Sequence, residues 1–221
     1  MLPIYVKEPG FREPEEPIYY VVTRSGLFQV KRTAVFLSRV RVRGLVWLEE
    51  EEEGARFLLP LIPEKILGET MAFFREVFRK YRAEAAVLLY LREGAEYEIR
   101  IPPQQVAGGH CRYEIGPNPP GCIRVGTIHS HGAAEAFHSE LDDLDEQYDD
   151  GLHVTIGSLH AKPSVSCSLV VDGRRFDLRA EEVLEVMPWQ LEPTVRLEDS
   201  EAVTPVPPPG DSDPSGRPSA I

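Results

Sequence analysis

The stretch Gly126-Thr-Ile-His-Ser-His-Gly-Ala-Ala-Glu-Ala-Phe-His-Ser-Glu-Leu-Asp142 sets His129 and His131 two residues apart, then Ser139 and Asp142 three apart. The residues ahead of it, Cys122-Ile-Arg-Val-Gly-Thr-Ile128, are apolar and β-branched and follow a turn at Pro119-Pro-Gly121, the pattern of a buried strand. Side chains at i and i+2 of a strand share a face, so the two imidazoles project together from the strand end. Ser139 opens an acidic helical segment and Asp142 falls on its first turn. Two imidazoles and a carboxylate converging from a strand end and a helix start suit a zinc ion with its fourth position open to water. Taken alone, Ser-x-x-Asp also reads as a capping box, with Ser139 as N-cap and the Asp142 carboxylate reaching back to the first amides.

His-Ser-His, seven residues, then Ser-x-x-Asp resembles the signature of the JAB/MPN (JAMM) zinc metallopeptidases, in particular their prokaryotic deubiquitinase-like branch. That family completes the motif with a glutamate upstream. Glu84 stands 45 positions before His129, between a helical pattern and the apolar run Ala85-Ala-Val-Leu-Leu-Tyr-Leu91. The resemblance covers residues from about 68 to 190. It implies an α+β (α/β/α-like) fold, a cytidine-deaminase-like curved β-sheet flanked by helices. It also implies one catalytic Zn2+ held by His129, His131 and Asp142, with Glu84 as general base and acid and Ser139 as an oxyanion donor rather than a nucleophile. The implied reaction is cleavage after the C-terminal tail of a ubiquitin-like protein, either maturing a precursor or releasing it from a lysine. Activating and conjugating enzymes of the same operon are further expected partners. Two alternatives stand beside this reading: a non-catalytic MPN-type interaction module, and a JAMM peptidase trimming a sulfur-carrier protein. The chain departs from the family pattern at Gly132, where proline usually follows the second histidine, and at Ala85-Ala-Val-Leu88, where a glycine-containing run is usual. The short segment after Asp142 implies that the second insertion, which reads ubiquitin linkage, is absent.

The rest of the composition is that of an ordinary soluble domain. The 221 residues are 42% hydrophobic and 27% charged. A net charge of −12 argues against nucleic acid or an anionic membrane as partner. No run approaches the roughly 20 apolar residues that span a bilayer, and the N-terminus lacks signal-peptide character, so the expected location is cytoplasmic. The three cysteines describe no disulfide framework, and Cys111, Cys122 and Cys167 read as small buried residues. His110, His138, His153 and His160 read as core or surface histidines. Seven carboxylates between Glu140 and Asp150 serve solubility or draw a basic partner tail toward the metal.

Along the chain, residues 1–16 read as an extended N-terminus and 17–62 as a small β-rich extension. Its expected strands are Ile18–Thr23, Leu27–Val30, Ala34–Leu37, Val40–Val42 and Leu45–Trp47, with a solvated turn at Glu49–Glu53. Residues 63–192 form the JAB/MPN metallopeptidase domain by resemblance. Its helix is N-capped by Thr70, with Phe74, Val77, Phe78 and Tyr81 on one face. Strands follow at Ala85–Leu91 and Tyr97–Ile101. Residues 102–121 are Pro- and Gly-rich and read as a long irregular loop with a short strand at Arg112–Ile115; the resemblance implies that it helps hold the substrate's tail. Leu152–Ile156 and Ser164–Val171 are strands, and Asp172-Gly173 turns into Arg174–Leu178. A short helix is expected at Ala180–Val186, and residues 193–221 read as a disordered Pro/acidic tail.

Overall fold

The computed structural model describes residues 2–45, 48–94, 96–139, 142, 144, 146–191 and 202–206. The chain divides into two compact units, Met1–Glu53 and Gly54–Ile221. In the first, β1 (Ile4–Val6), β2 (Ile18–Thr23), β3 (Gly26–Arg32) and β4 (Leu37–Arg41) form one sheet in that order. Tyr19, Val21 and Val30 alternate onto one face and bury there with Tyr5, Phe11 and Phe28. Glu13 fastens the segment between β1 and β2, accepting bonds from the Tyr19 hydroxyl at 2.9 Å and Arg39 Nη2 at 2.8 Å. The N-terminal stretch is therefore more than extended: β1 pairs in parallel with β2. Ala34–Phe36 is a turn rather than strand, because Thr33 Oγ1 accepts the amides of Val35 and Phe36. Val46 and Trp47, the end of the expected Leu45–Trp47 strand, lie outside the described residues.

The second unit is built on α1 (Glu64–Tyr81), β5 (Ala86–Arg92), β6 (Glu96–Arg100), β7 (Gln104–Ala107), β8 (His110–Tyr113), β9 (Cys122–Ser130), β10 (Gly151–Gly157), β11 (Ser164–Val171), β12 (Arg174–Leu178) and β13 (Val203–Pro205). Six strands form the main sheet in the order β12-β11-β10-β9-β5-β6, with β9 and β10 parallel and the other neighbours antiparallel. This is an α+β fold. The central strands carry near-continuous apolar runs because both faces are covered: Val87, Leu89, Ile128 and Val154 are buried on one face and Ala86, Leu88, Thr127 and Thr155 on the other. α1 buries Ile66, Leu67, Met71, Phe74 and Val77. Residues 54–62 belong with this unit: Phe57 and Leu59 pack on its core, and Ile62 exchanges backbone bonds with Val183 and Glu185.

Four expectations are corrected. Thr70 is not the N-cap; the helix begins two turns earlier, and Thr70 Oγ1 donates to the carbonyl of Ile66 at 2.8 Å inside it. Pro63 stands at the cap, and the Glu185 carboxylate accepts the first helical amide, of Glu64, at 2.9 Å. Residues 102–121 are not simply irregular: β7 and β8 form a hairpin across Gly108-Gly109. The tail is not wholly irregular either, since β13 adds in parallel to β7, with Val203 packed on the core; residues 192–201 and 207–221 lie outside the described residues. The expected helix at Ala180–Val186 is a single 3-10 turn at Ala180–Glu182, because Ile62 takes the following backbone into a β-bridge with Leu184. Among the described residues no helix is long and apolar enough to cross a membrane.

The strand that presents the histidines is bent just before them. β5 and β9 slip register between Leu89 and Tyr90, which makes Val125 the extra residue of a β-bulge. The next residue, Gly126, faces the β10 backbone so closely that a Cβ there would stand 1.8 Å from the carbonyl oxygen of Leu152. Gly126→Ala is therefore expected to push β9 from β10, costing at least about 2 kcal/mol and lowering Tm by roughly 4–8 °C. An unchanged melting curve would contradict this account of the β9–β10 contact.

Candidate metal centre

Strand pairing brings distant residues together. Ala86 of β5 lies opposite His129 of β9 in an antiparallel pair. One step further, the Ser130 amide donates to the Ala85 carbonyl at 2.9 Å and Ser130 Oγ accepts the Ala85 amide at 3.1 Å. One more step sets Glu84 against His131, and the two-residue period of a strand puts Glu84, His129 and His131 on one side. Glu84 itself lies in the link between α1 and β5, held by its amide to the Ala107 carbonyl at 2.9 Å.

The chain turns sharply after the second histidine. The His131 amide donates to the Ile156 carbonyl at 2.9 Å, and Gly132 follows at φ +53°. Proline, locked near φ −65°, cannot take that conformation. Glycine takes that conformation at no steric cost, so the departure to Gly132 suits this turn. The segment then passes the end of β10 at Gly157 and the start of β11, where Ala136 donates its amide to Ser164 Oγ at 2.8 Å. Asp142, Leu144 and Glu146 carry helical backbone.

His129 Nε2 and His131 Nε2 stand 3.3 Å apart, His129 Nε2 is 3.4 Å from Asp142 Oδ1, and His131 Nε2 is 3.3 Å from Asp142 Oδ2. One ligand atom from each residue lies within 4.8 Å of the others. Bonds of about 2.0–2.2 Å to a tetrahedral ion set neighbouring ligand atoms roughly 3.3–3.6 Å apart. The donor set and its spacing therefore fit a divalent ion. Both readings of Ser-x-x-Asp are realised at once. The Ser139 amide and hydroxyl donate to Asp142 Oδ2, each at 2.7 Å, and the Asp142 amide donates to Ser139 Oγ at 3.1 Å. The capping box aims the carboxylate at the imidazoles and leaves Oδ1 clear of Ser139.

Charge in this site is held by its neighbours. Burial works to raise the Asp142 pKa, but bonds to His129, His131 and Ser139 outweigh it and keep the carboxyl far below its usual range. Burial also pushes Glu84 up, to about 7, against the lowering effect of His131 and His129 and with some help from Asp142. A carboxyl near neutrality beside a candidate metal site is suited to take and return a proton. All five residues line one cleft of about 450 Å³, which is also lined by β8, with His110, Cys111, Arg112 and Tyr113.

Sequence reasoning missed the shell behind the histidines. Glu146 is buried, with Oε1 3.1 Å from His153 Nδ1 and 3.7 Å from His129 Nδ1, and Oε2 2.6 Å from Arg175 Nη2. Thr155 Oγ1 lies 3.3 Å from His129 Nε2 and 3.4 Å from His138 Nδ1. Burial pushes His138 down to about 4, so it is neutral at pH 7. His153 is a core residue, while His110 and His160 are exposed. Cys122 and Cys167 are buried and Cys111 is half-buried at the cleft. The acidic run is partly consumed internally: Asp149 pairs with Arg124, and Asp150 Oδ1 accepts the Asp172 amide. The signal available for Glu146 was its spacing, four residues after Asp142 and so on the same helical face.

Fold and site together define a mixed α+β domain with a candidate His-His-Asp metal centre at the end of its central strands. No protein-family model matches the chain, and no curated protein matches it in sequence. Among solved structures it is similar to a JAB1/MPN domain protein from Archaeoglobus fulgidus, at 18% identity and TM-score 0.37 over 58% of this chain and 97% of that one. It is also similar to a protein from Desulfitobacterium hafniense determined in solution, at 19% identity and TM-score 0.36 over 52% and 87%. A third similar structure is described as a JAMM metalloprotease-like zinc site in the proteasome and signalosome, at 20% identity and TM-score 0.35 over 55% and 96%.

The raised Glu84 pKa sets a sign for stability. Folding favours the protonated carboxyl, so in metal-free protein its contribution is intact below pH 4.5 and is lost as pH climbs to about 7. Metal-free Glu84→Gln is expected to melt with wild type at pH 4 and above it at pH 8, by of order 1–3 kcal/mol. A gap of equal size at both pH values would show that burial of the Glu84 charge is not its cause.

Proposed function

We propose that the chain is a zinc-dependent peptidase or isopeptidase of the JAB/MPN type, cleaving after the C-terminal tail of a ubiquitin-like protein. The observation that carries this reading is the convergence of His129, His131 and Asp142 with a buried carboxyl, Glu84, and the capping hydroxyl of Ser139 in one cleft. Zinc, when bound, supplies a Lewis acid for the scissile carbonyl and acidifies a water. His129, His131 and Asp142 would hold it. Glu84 takes a proton from the attacking water and returns it to the departing amine. Ser139 exchanges its bond to Asp142 for one to the developing oxyanion. Among the described residues β8 is an edge strand of the β13-β7-β8 sheet, and it lines the cleft, so an extended tail can run along it and add main-chain hydrogen bonds. The precursor or lysine-linked conjugate of a ubiquitin-like protein has such a tail, and the enzymes that activate and conjugate that protein are the partners this reading expects.

The test is cleavage of a ubiquitin-like protein fused through its C-terminal tail to a reporter. Wild type should cleave at the end of the tail, stop on chelation and recover with zinc. Glu84→Ala should keep the metal but lose about 10²–10⁴ in kcat. Ser139→Ala should lose about 10²–10³ in kcat with little change in KM. Cleavage that survives chelation, or Glu84→Ala turning over at the wild-type rate, would overturn the mechanism. Stoichiometric binding that persists after chelation, without hydrolysis, would favour a non-catalytic interaction module.

A further inference from the structure

Resting on the metal-centre reading above, we infer that Glu146 is a positioning residue for the centre, fixing the His129 ring from behind so that Nε2 faces the ion. Glu146 is 5% exposed and is held from two other strands. From β12, Arg175 Nη2 reaches Oε2 at 2.6 Å while its Nη1 donates to Ser168 Oγ at 2.5 Å. From β10, His153 Nδ1 lies 3.1 Å from Oε1, and its Nε2 donates to the Asp149 carbonyl at 2.8 Å. Thus fixed, the carboxylate sets Oε1 3.7 Å from His129 Nδ1. That is an ion-pair distance rather than a hydrogen bond.

The chemistry gives this arrangement a direction. A neutral imidazole that offers Nε2 to a metal carries its hydrogen on Nδ1, and a carboxylate on that side favours this tautomer. A buried carboxylate–guanidinium pair is a weak source of stability, since apolar side chains of similar volume often serve as well. Glu146, Arg175 and His153 therefore need a reason other than stability, and the ring they face supplies one. Glu146 lines the same cleft, and among the described contacts it meets the three ligands at His129, through which it acts.

The test is metal affinity measured by competition with a chelator on wild type, Glu146→Gln and Glu146→Asp, with the visible spectrum of the cobalt(II)-substituted forms. Glu146→Gln is expected to bind zinc about 10–100-fold more weakly and to shift the cobalt spectrum, and Glu146→Asp, which keeps the charge, to recover part of the loss. Leu67→Ala, which hollows the core, should lower Tm without changing metal affinity. Should Glu146→Gln not fold, 15N chemical shifts of the metal-free wild type decide: hydrogen on Nδ1 of His129 supports the inference and hydrogen on Nε2 overturns it. Unchanged affinity and spectrum in folded Glu146→Gln overturn the role of Glu146 and leave the metal centre standing. A wild type that binds no metal overturns both.

Discussion

The antiparallel register that sets Ala86 against His129 is the constraint on which the site depends. It fixes which residue of the link after α1 meets His131, and the two-residue period does the rest. A slip of one residue would send the Glu84 side chain to the opposite face. The register is pinned by the Ser130–Ala85 bonds and by Gln104, whose amide group bonds both the nitrogen and the carbonyl of Ala86 at 2.9 Å. Gln104 begins β7, so the hairpin that lines the cleft also steadies the start of β5, two residues after Glu84.

Electrostatics then decides what each carboxyl can do. Three acidic groups lie close together and are given different environments. Asp142 faces two imidazoles and accepts two hydrogen bonds from Ser139, so it stays ionised. Glu146 is opposed by burial, yet the bond and charge of His153, the charge of His129 and the bond from Arg175 hold it below its usual range. Glu84 has burial and no matching donor among its principal influences, and its pKa rises. Groups whose environments push their pKa values apart are the physical basis for dividing ligand from acid and base roles.

Much of this was legible from residue spacing. The His-x-His pair at a strand end, the Ser-x-x-Asp turn and the strand at Ala86–Arg92 depend on local periods, and local periods are written in the sequence. The start of α1 was hidden because Gly68 interrupts its periodicity and its first amide is satisfied by Glu185, 121 positions away. The β7–β8 hairpin carried its own signal in Gly108-Gly109, obscured by the flanking prolines, while the partner of β7, Val203–Pro205, comes from a stretch whose composition argues for no structure. Glu146 was lost in a run of seven carboxylates between Glu140 and Asp150. Its four-residue spacing from Asp142 was the one local signal; the positions of His153 and Arg175, which single it out, are tertiary facts.

The central claim is that one ion can be gripped by His129, His131 and Asp142 together, and zinc K-edge X-ray absorption on the zinc-loaded protein tests it most directly. The account predicts one zinc per chain, two imidazole ligands at about 2.0–2.1 Å, oxygen in the remaining positions and no sulfur in the first coordination sphere. A sulfur scatterer near about 2.3 Å, which would bring in Cys111 from the cleft wall, or fewer than two imidazoles, would contradict it.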